Sequence, residues 1–294
     1  MLRARGQVRL TGPQLSNRLE PTCAVLGSPI AHSLSPALHL AAYRALGLHW
    51  SYQRHEMSED GLAAFVTSRP GNWRGLSLTM PLKQVALTLG EVDPVASLAQ
   101  AANTLIFDPD GGRSVFNTDV DGLVNALRGR GVGQVARAVV LGSGSTARSA
   151  LVSLSRLGCP QVFVLARSPA RAEPLRGLAA AIGVELIIRP WPTADTGGNL
   201  PTSDLLVSTA PAGAVDGWAP AAAAAAPVIF DVVYHPWPTR LAAAARAAGC
   251  TLVNGLELLA HQAVGQVELM TGRTVPAAVL LSAGQEALSR RQAP

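Results

Sequence analysis

Val139-Val140-Leu141-Gly142-Ser143-Gly144-Ser145-Thr146-Ala147 is an apolar run that breaks into a glycine-rich turn and resumes on small residues. The order predicts a buried strand, a tight turn and a helix. That is the context in which a dinucleotide's pyrophosphate is received. Glycines let the backbone come close, and free N–H groups with the dipole at a helix N-terminus favour negative charge. A G-x-G turn also occurs without any ligand, and Ser145 stands where a third small residue often does. The segment taken alone therefore leaves a cofactor loop and a plain turn both open.

The next apolar run outward, Val162 to Leu165, ends in Ala166-Arg167-Ser168-Pro169-Ala170-Arg171. A site for NAD usually carries a carboxylate there for the ribose hydroxyls. Arginines can pair with a 2′-phosphate, which a carboxylate would repel, so the expected cofactor is NADP. The plainer alternative is a pair of solvated arginines at a helix start.

Around these segments short β-rich runs alternate with helical ones. Ala138 to Leu141, Val162 to Leu165, Glu185 to Ile188, Leu205 to Ser208 and Val228 to Val232 read as one series of strands. Thr22 to Leu26, Trp50 to His55, Leu76 to Thr79 and Thr104 to Phe107 read as an earlier series, with a helix from Ser35 to Leu46 among them. Alternation of this kind predicts parallel sheets built of βαβ units. Helices are expected from Leu256 to Gly272 and from Pro276 to Arg290, and a loop or short helix over Pro220 to Pro227. Residues 1–20 lack periodicity and read as a loose extension.

A chain of 294 residues has room for two domains with separate cores. With 48% hydrophobic and 15% charged residues it is expected to fold rather than remain disordered. The apolar runs are too short to span a bilayer and the first residues lack a signal-peptide core, which predicts a cytoplasmic protein without a membrane partner. A net charge of +5 comes from scattered arginines rather than from an aromatic-interleaved cluster, so nucleic acid is not an expected partner. Cys23, Cys159 and Cys250 lie far apart and outside metal-ligand spacing; no metal site is expected. His32, His39 and His261 likewise read as packing or supporting residues.

Two polar segments in the first half could hold a substrate. Gly27-Ser28-Pro29-Ile30-Ala31-His32-Ser33-Leu34-Ser35-Pro36 follows the first strand and opens a helix, with Ser35 as its expected cap and Pro36 in its first turn. Ser33 and Ser35 can be capping residues, or can bind a substrate carboxylate beside the helix N-terminus. Thr79-Met80-Pro81-Leu82-Lys83 carries the single lysine of the chain. Lysine exchanges its proton when desolvated and arginine effectively does not, so keeping a lysine here points to proton transfer. Ala102-Asn103-Thr104 and Asn117-Thr118-Asp119 end apolar runs and can be turns or caps. Asp119 near Lys83 would complete the acid and base work that carbonyl reduction needs beside a hydride donor.

These segments, with Asn254-Gly255-Leu256 leading to Gln262, resemble the shikimate dehydrogenase family in order, from Pro21 to about Gly272. The resemblance implies an α/β fold: an N-terminal substrate domain (21–120 with 256–294), a Rossmann-like NADP-binding domain (121–255), and a C-terminal helix returning to the first. It implies reversible reduction of 3-dehydroshikimate to shikimate by NADPH, with Lys83 and Asp119 as the catalytic pair. Ser33 and Ser35 would hold the substrate carboxylate, and Thr79, Asn103, Asp119 and Gln262 its ring hydroxyls. Gly142 to Ala147 would take the pyrophosphate, Arg167, Ser168 and Arg171 the 2′-phosphate, and Gly255 would face the nicotinamide. Tyr234 would line the cleft near both ligands. A monomer or a homodimer is expected.

Against the family pattern, Leu40, Ser208 and Ala166 replace asparagines, Gln100 replaces a glycine, and Val115-Phe116 replaces a more polar pair. These departures leave room for a relative acting on quinate or an aminated shikimate, or for a paralogue that binds without turnover. A reductase of unrelated substrate, such as a folate-linked dehydrogenase, is disfavoured by the paired serines.

Overall fold

The computed structural model describes residues 20–69, 71–192 and 200–292; the extension expected over 1–20 lies almost wholly outside them. The first half gives β1 (Thr22–Gly27), α1 (Ser35–Ala45), β2 (Ser51–Glu56), α2 (Glu59–Thr67), β3 (Trp73–Leu78), β4 (Glu91–Val92), α3 (Pro94–Ala99), β5 (Thr104–Phe107) and β6 (Arg113–Phe116). After α4 (Asp119–Gly129) come β7 (Arg137–Leu141), α5 (Ser145–Arg156), β8 (Gln161–Ala166), α6 (Pro169–Ala172), α7 (Leu175–Ala181) and β9 (Glu185–Pro190). The chain continues through β10 (Leu205–Ser208), α8 (Ala219–Ala224), β11 (Val228–Asp231), α9 (Arg240–Ala247), β12 (Thr251–Asn254), α10 (Gly255–Thr271) and α11 (Ala277–Gln292).

The second sheet runs β12-β11-β10-β7-β8-β9 with every pairing parallel, as expected of crossover units. Its four inner strands are buried on both faces, and the edge strands β9 and β12 are partly exposed. Val140, Val164 and Phe230 pack towards α4 and α5, while Val139, Leu141 and Ile229 pack towards α8 and α9.

The first sheet, β2-β1-β3-β5-β6-β4, departs from the all-parallel expectation because β5 runs antiparallel to both β3 and β6. The cause is local. Asp108 to Gly112 closes a tight turn, with the Gly111 amide donating to the Asp108 carbonyl and φ +90° at Gly111, and a turn that short can only join antiparallel strands. The brief strand β4, with β6 and β12, had no clear signal in the apolar pattern.

One strand expectation and two at helix starts also shift. The strand expected over Leu76 to Thr79 ends at Leu78, which leaves Thr79 in the loop that follows. Ser35 is the first residue of α1 rather than its cap; Leu34 caps it without a side-chain bond, and the Ser33 hydroxyl accepts from the Ser35 amide at 3.3 Å. Asp119, open to a turn or cap role in the sequence, is the first residue of α4, one past its cap Thr118.

The chain leaves the second sheet through α10, which packs on α4 and against β3 and β5 of the first sheet, and α11 then lies on α1. His39 on α1 is fully buried under this cover, stacked on Tyr52 at 4.1 Å between ring centroids, with Nε2 3.2 Å from Gln266 Oε1 on α10. Burial holds its pKa down at about 4, against the ordinary 6.5. The unfolded chain therefore binds the extra proton first, and stability falls as pH drops from 6.5 towards 4. The expected loss is of order 3 kcal/mol over that window. Chemical denaturation of the wild type and of His39→Gln at stepped pH checks this; equal slopes would remove His39 as the cause.

Gln100, at the end of α3, has φ +50° and ψ +40°. It is the one non-glycine residue with positive φ among those described, and it stands where the family pattern has glycine. What the side chain gains is visible: its Oε1 accepts from Arg148 on α5 at 2.7 Å, giving a buried guanidinium a partner and tying the two sheets' layers together. Gln100→Ala and Gln100→Gly both lose that bond, but only alanine keeps the left-handed strain. The glycine variant is expected to be the more stable by about 1 kcal/mol, read from denaturant midpoints.

Candidate functional site

Lys83 and Asp119 are brought together by two fixed pieces of backbone. Lys83 follows the turn closed by the Leu82 amide on the Thr79 carbonyl, and its own carbonyl accepts from Ala102, beside Asn103. Asp119 is the first residue of α4, where unbonded amides and the helix dipole favour a carboxylate. Lys83 Nζ donates to Asp119 Oδ2 at 2.5 Å, with 13% and 7% of the two side chains exposed. Asn103 Nδ2 lies 2.9 Å from Asp119 Oδ1 and 3.1 Å from Gln262 Oε1, while Asn103 Oδ1 accepts from the Thr118 amide at 2.8 Å. Both carboxylate oxygens are thus held, and the ammonium keeps further donors for a ligand.

Lys83 lines two cavities, and Asp119 lines the smaller of them. One, of about 120 Å³, is lined by Ser35, Thr79, Lys83, Asn103, Asp119, Tyr234, Gly255 and Gln262 among others. The other, of about 310 Å³, lies against Thr79, Met80 and Lys83 on one side and Gly144, Ser145, Thr146 and Thr209 on the other. The second cavity therefore runs from the first sheet's Thr79 loop to the N-terminus of α5, at the carboxyl ends of the central strands of the second sheet. That is the usual ligand crevice of an open α/β sheet.

The glycine loop has the features a pyrophosphate needs. Gly142 has φ +107°, and a Cβ there would come within 2.6 Å of Thr209 Oγ1. Gly144 caps α5 with no side-chain bond, so the first amides of that helix remain open to a ligand. Arg167 and Arg171 are exposed beyond the end of β8, and Ser168 caps α6 with its hydroxyl uncommitted to the helix. Gly255 opens α10 under a capping box from Asn254 and Glu257; a Cβ on it would lie 2.1 Å from the Val232 carbonyl oxygen. Only a residue without a side chain allows that approach.

Two family models match the chain: the shikimate dehydrogenase substrate binding domain over residues 25–105, and the shikimate 5'-dehydrogenase C-terminal domain over residues 255–283. The shikimate dehydrogenase (NADP(+)) of Moorella thermoacetica is 32% identical over 277 residues, spanning 90% of this chain and 92% of that protein. The chain belongs to the shikimate dehydrogenase family. Among solved structures, Mycobacterium tuberculosis shikimate dehydrogenase is similar with a TM-score of 0.81 and 42% identity, over 90% of this chain and 99% of that one. The Thermus thermophilus enzyme in complex with NADP(H) and shikimate is similar with a TM-score of 0.78 and 33% identity, over 90% and 99% of the two chains.

Within this member of the shikimate dehydrogenase family, the expected site residues fall into three places. Ser35, Thr79, Lys83, Asn103, Asp119, Tyr234, Gly255 and Gln262 share the smaller cavity. Gly144, Ser145 and Thr146 line the larger one, while Gly142 and Ser143 precede them in the loop without lining it and Ala147 is buried in the core. Arg167, Ser168 and Arg171 line neither; they stand apart at the outer end of β8. Ser33 does not line the smaller cavity, lying next to Ser35 with its carbonyl turned to two arginines.

Several lining residues escaped the sequence reading. Gln266 lines the cavity and bonds the Asn103 carbonyl and Thr104 Oγ1, both at 3.0 Å. The signal was available, since Gln266 is one helical turn past Gln262 and shares its face. Thr209 follows a buried strand end, a position that α/β crevices use repeatedly. Ser77 lies within a strand, hydrogen-bonded to Tyr52 and Gln266, and nothing in the sequence marks it. Leu40 packs with the Cys23 and Tyr43 cluster and Val115 with the sheet core; the structure gives no reason for Ala166 or Ser208.

Proposed function

We propose that this chain is an NADP-dependent shikimate dehydrogenase, an oxidoreductase that reversibly reduces 3-dehydroshikimate to shikimate. The observation that carries the reading is the Lys83–Asp119 pair in a small cavity lined by several polar side chains, with Lys83 also lining the cleft that ends on the glycine loop. On this reading residues 21–120 with 256–294 form the substrate domain and 121–255 the cofactor domain. Ser33 and Ser35 take the carboxylate. Thr79, Asn103, Asp119 and Gln262 take the ring hydroxyls, and Tyr234 and Gly255 stand between substrate and nicotinamide.

The residues fit the cofactor. Open amides at α5, the Gly142 backbone and the paired arginines beyond β8 match a pyrophosphate and a 2′-phosphate in chemistry and in order. When bound, NADPH supplies a hydride to the carbonyl carbon. The protein's part is the proton. Lys83 Nζ, held by Asp119 and partly desolvated, delivers it to the carbonyl oxygen in reduction and receives it from the hydroxyl in oxidation. Asn103 fixes the other carboxylate oxygen, so that Asp119 is oriented before substrate arrives.

No helix among the described residues is long and apolar enough to cross a membrane. The reading implies a cytosolic enzyme acting on small molecules, as a monomer or homodimer. Its test is the absorbance of NADPH formed from shikimate and NADP, repeated with NAD and with quinate. NADP-dependent oxidation of shikimate is expected; a flat trace with both acids in protein that still binds shikimate would reject it in favour of binding without turnover.

A further inference from the structure

The smaller cavity presents a charge problem. Its lining contains one ammonium and one carboxylate, Lys83 and Asp119, and these neutralise each other at 2.5 Å. A substrate carboxylate thus enters a site with no net cation on its walls. Two hydroxyls and a helix N-terminus compensate only part of the desolvation of a full charge.

Behind the serine loop the structure provides more. Arg54, on β2, donates from Nη2 to the Ser33 carbonyl at 2.9 Å. Arg291, in the last turn of α11, donates from Nη1 to the His32 carbonyl at 2.9 Å and from Nη2 to the Ser33 carbonyl at 3.4 Å. Two guanidiniums from opposite ends of the chain therefore converge on one peptide oxygen of the loop that carries Ser33 and Ser35. Neither has a carboxylate within ion-pair distance among the described residues. Glu56, on the same strand as Arg54, is committed to the Ser28 hydroxyl and the Ile30 amide. Their field reaches the cavity wall: burial pushes the Tyr234 phenol up, and Arg291 and then Arg54 oppose the shift.

We infer that Arg54 and Arg291 are positioning residues that back the carboxylate-binding loop with positive charge and set the preference for an acidic over an uncharged ring substrate. They act through Ser33, whose carbonyl they clamp, and through space, since neither lines the cavity. The inference rests on the proposed shikimate reading. It predicts discrimination by charge rather than by shape, because the contacts to ring hydroxyls come from other elements.

The experiment is steady-state oxidation of shikimate by wild type, Arg54→Gln, Arg291→Gln and the double variant, with methyl shikimate as a competing ligand. For the double variant the shikimate KM should rise about tenfold, with kcat nearly unchanged. The inhibition constant of the ester should stay constant, so that the acid-over-ester preference collapses. Arg291→Lys, which keeps the charge, should retain most of the preference. Equal weakening of acid and ester would mean that the arginines only brace the loop, and no weakening would mean no role; either overturns the inference while the wild type stays active. A wild type that oxidises no shikimate would overturn the substrate reading, and this inference with it.

Discussion

Lys83→Ala is expected to lower kcat for shikimate oxidation about a thousandfold, the usual worth of a positioned proton-transfer group. The fold should survive it. Asp119 keeps its Asn103 bond and its place at the start of α4, and the Lys83 backbone bond to Ala102 does not depend on the side chain. Lys83→Arg is the sharper variant. It preserves a cation beside Asp119, yet a guanidinium does not give up its proton in the working range, so kcat should remain close to that of the alanine variant. If arginine restored turnover, charge alone would be the contribution of this position. If alanine left kcat within a small factor of wild type, the proton-transfer assignment would be wrong.

The second large effect concerns the cofactor. Replacing Arg167 and Arg171 together by alanine is expected to cost about a hundredfold in kcat/KM for NADP while leaving NAD almost untouched. Both side chains are exposed beyond β8, and neither is engaged in an ion pair among the described residues, so little stability rests on them. The comparison of the two nucleotides isolates the 2′-phosphate. A matching loss with NAD would point instead to damage at the glycine loop.

What could be read in the sequence follows from how local each signal is. The strand, turn and helix at Val139 to Thr146 is a contiguous pattern, and the structure reproduces it as β7, the Gly142 turn and α5. The reversal of β5 depended on a turn at Asp108 to Gly112 that apolar periodicity does not register. The Lys83–Asp119 pairing was legible in kind, because residue types and strand-end positions pointed to it, but its geometry needed α4, Asn103 and the Thr79 turn in three dimensions. Arg54 and Arg291 were illegible. Among so many arginines no local feature separates two that meet across 237 positions, and only the folded chain shows them sharing the Ser33 carbonyl.

The return of α10 to the first sheet bears on the order in which this chain can mature during synthesis. His39 and Gln266, 227 positions apart, close the buried face of α1, and Asn103 meets Gln262 across 159. The first half leaves the ribosome with β1, β3 and α1 made but with the apolar face that awaits α10 uncovered. The second sheet, whose strands are contiguous in the chain, can form before that gap is filled. The half translated first is therefore completed last, and a nascent chain halted before Gln262 would carry an intact glycine loop beside an unfinished polar pocket.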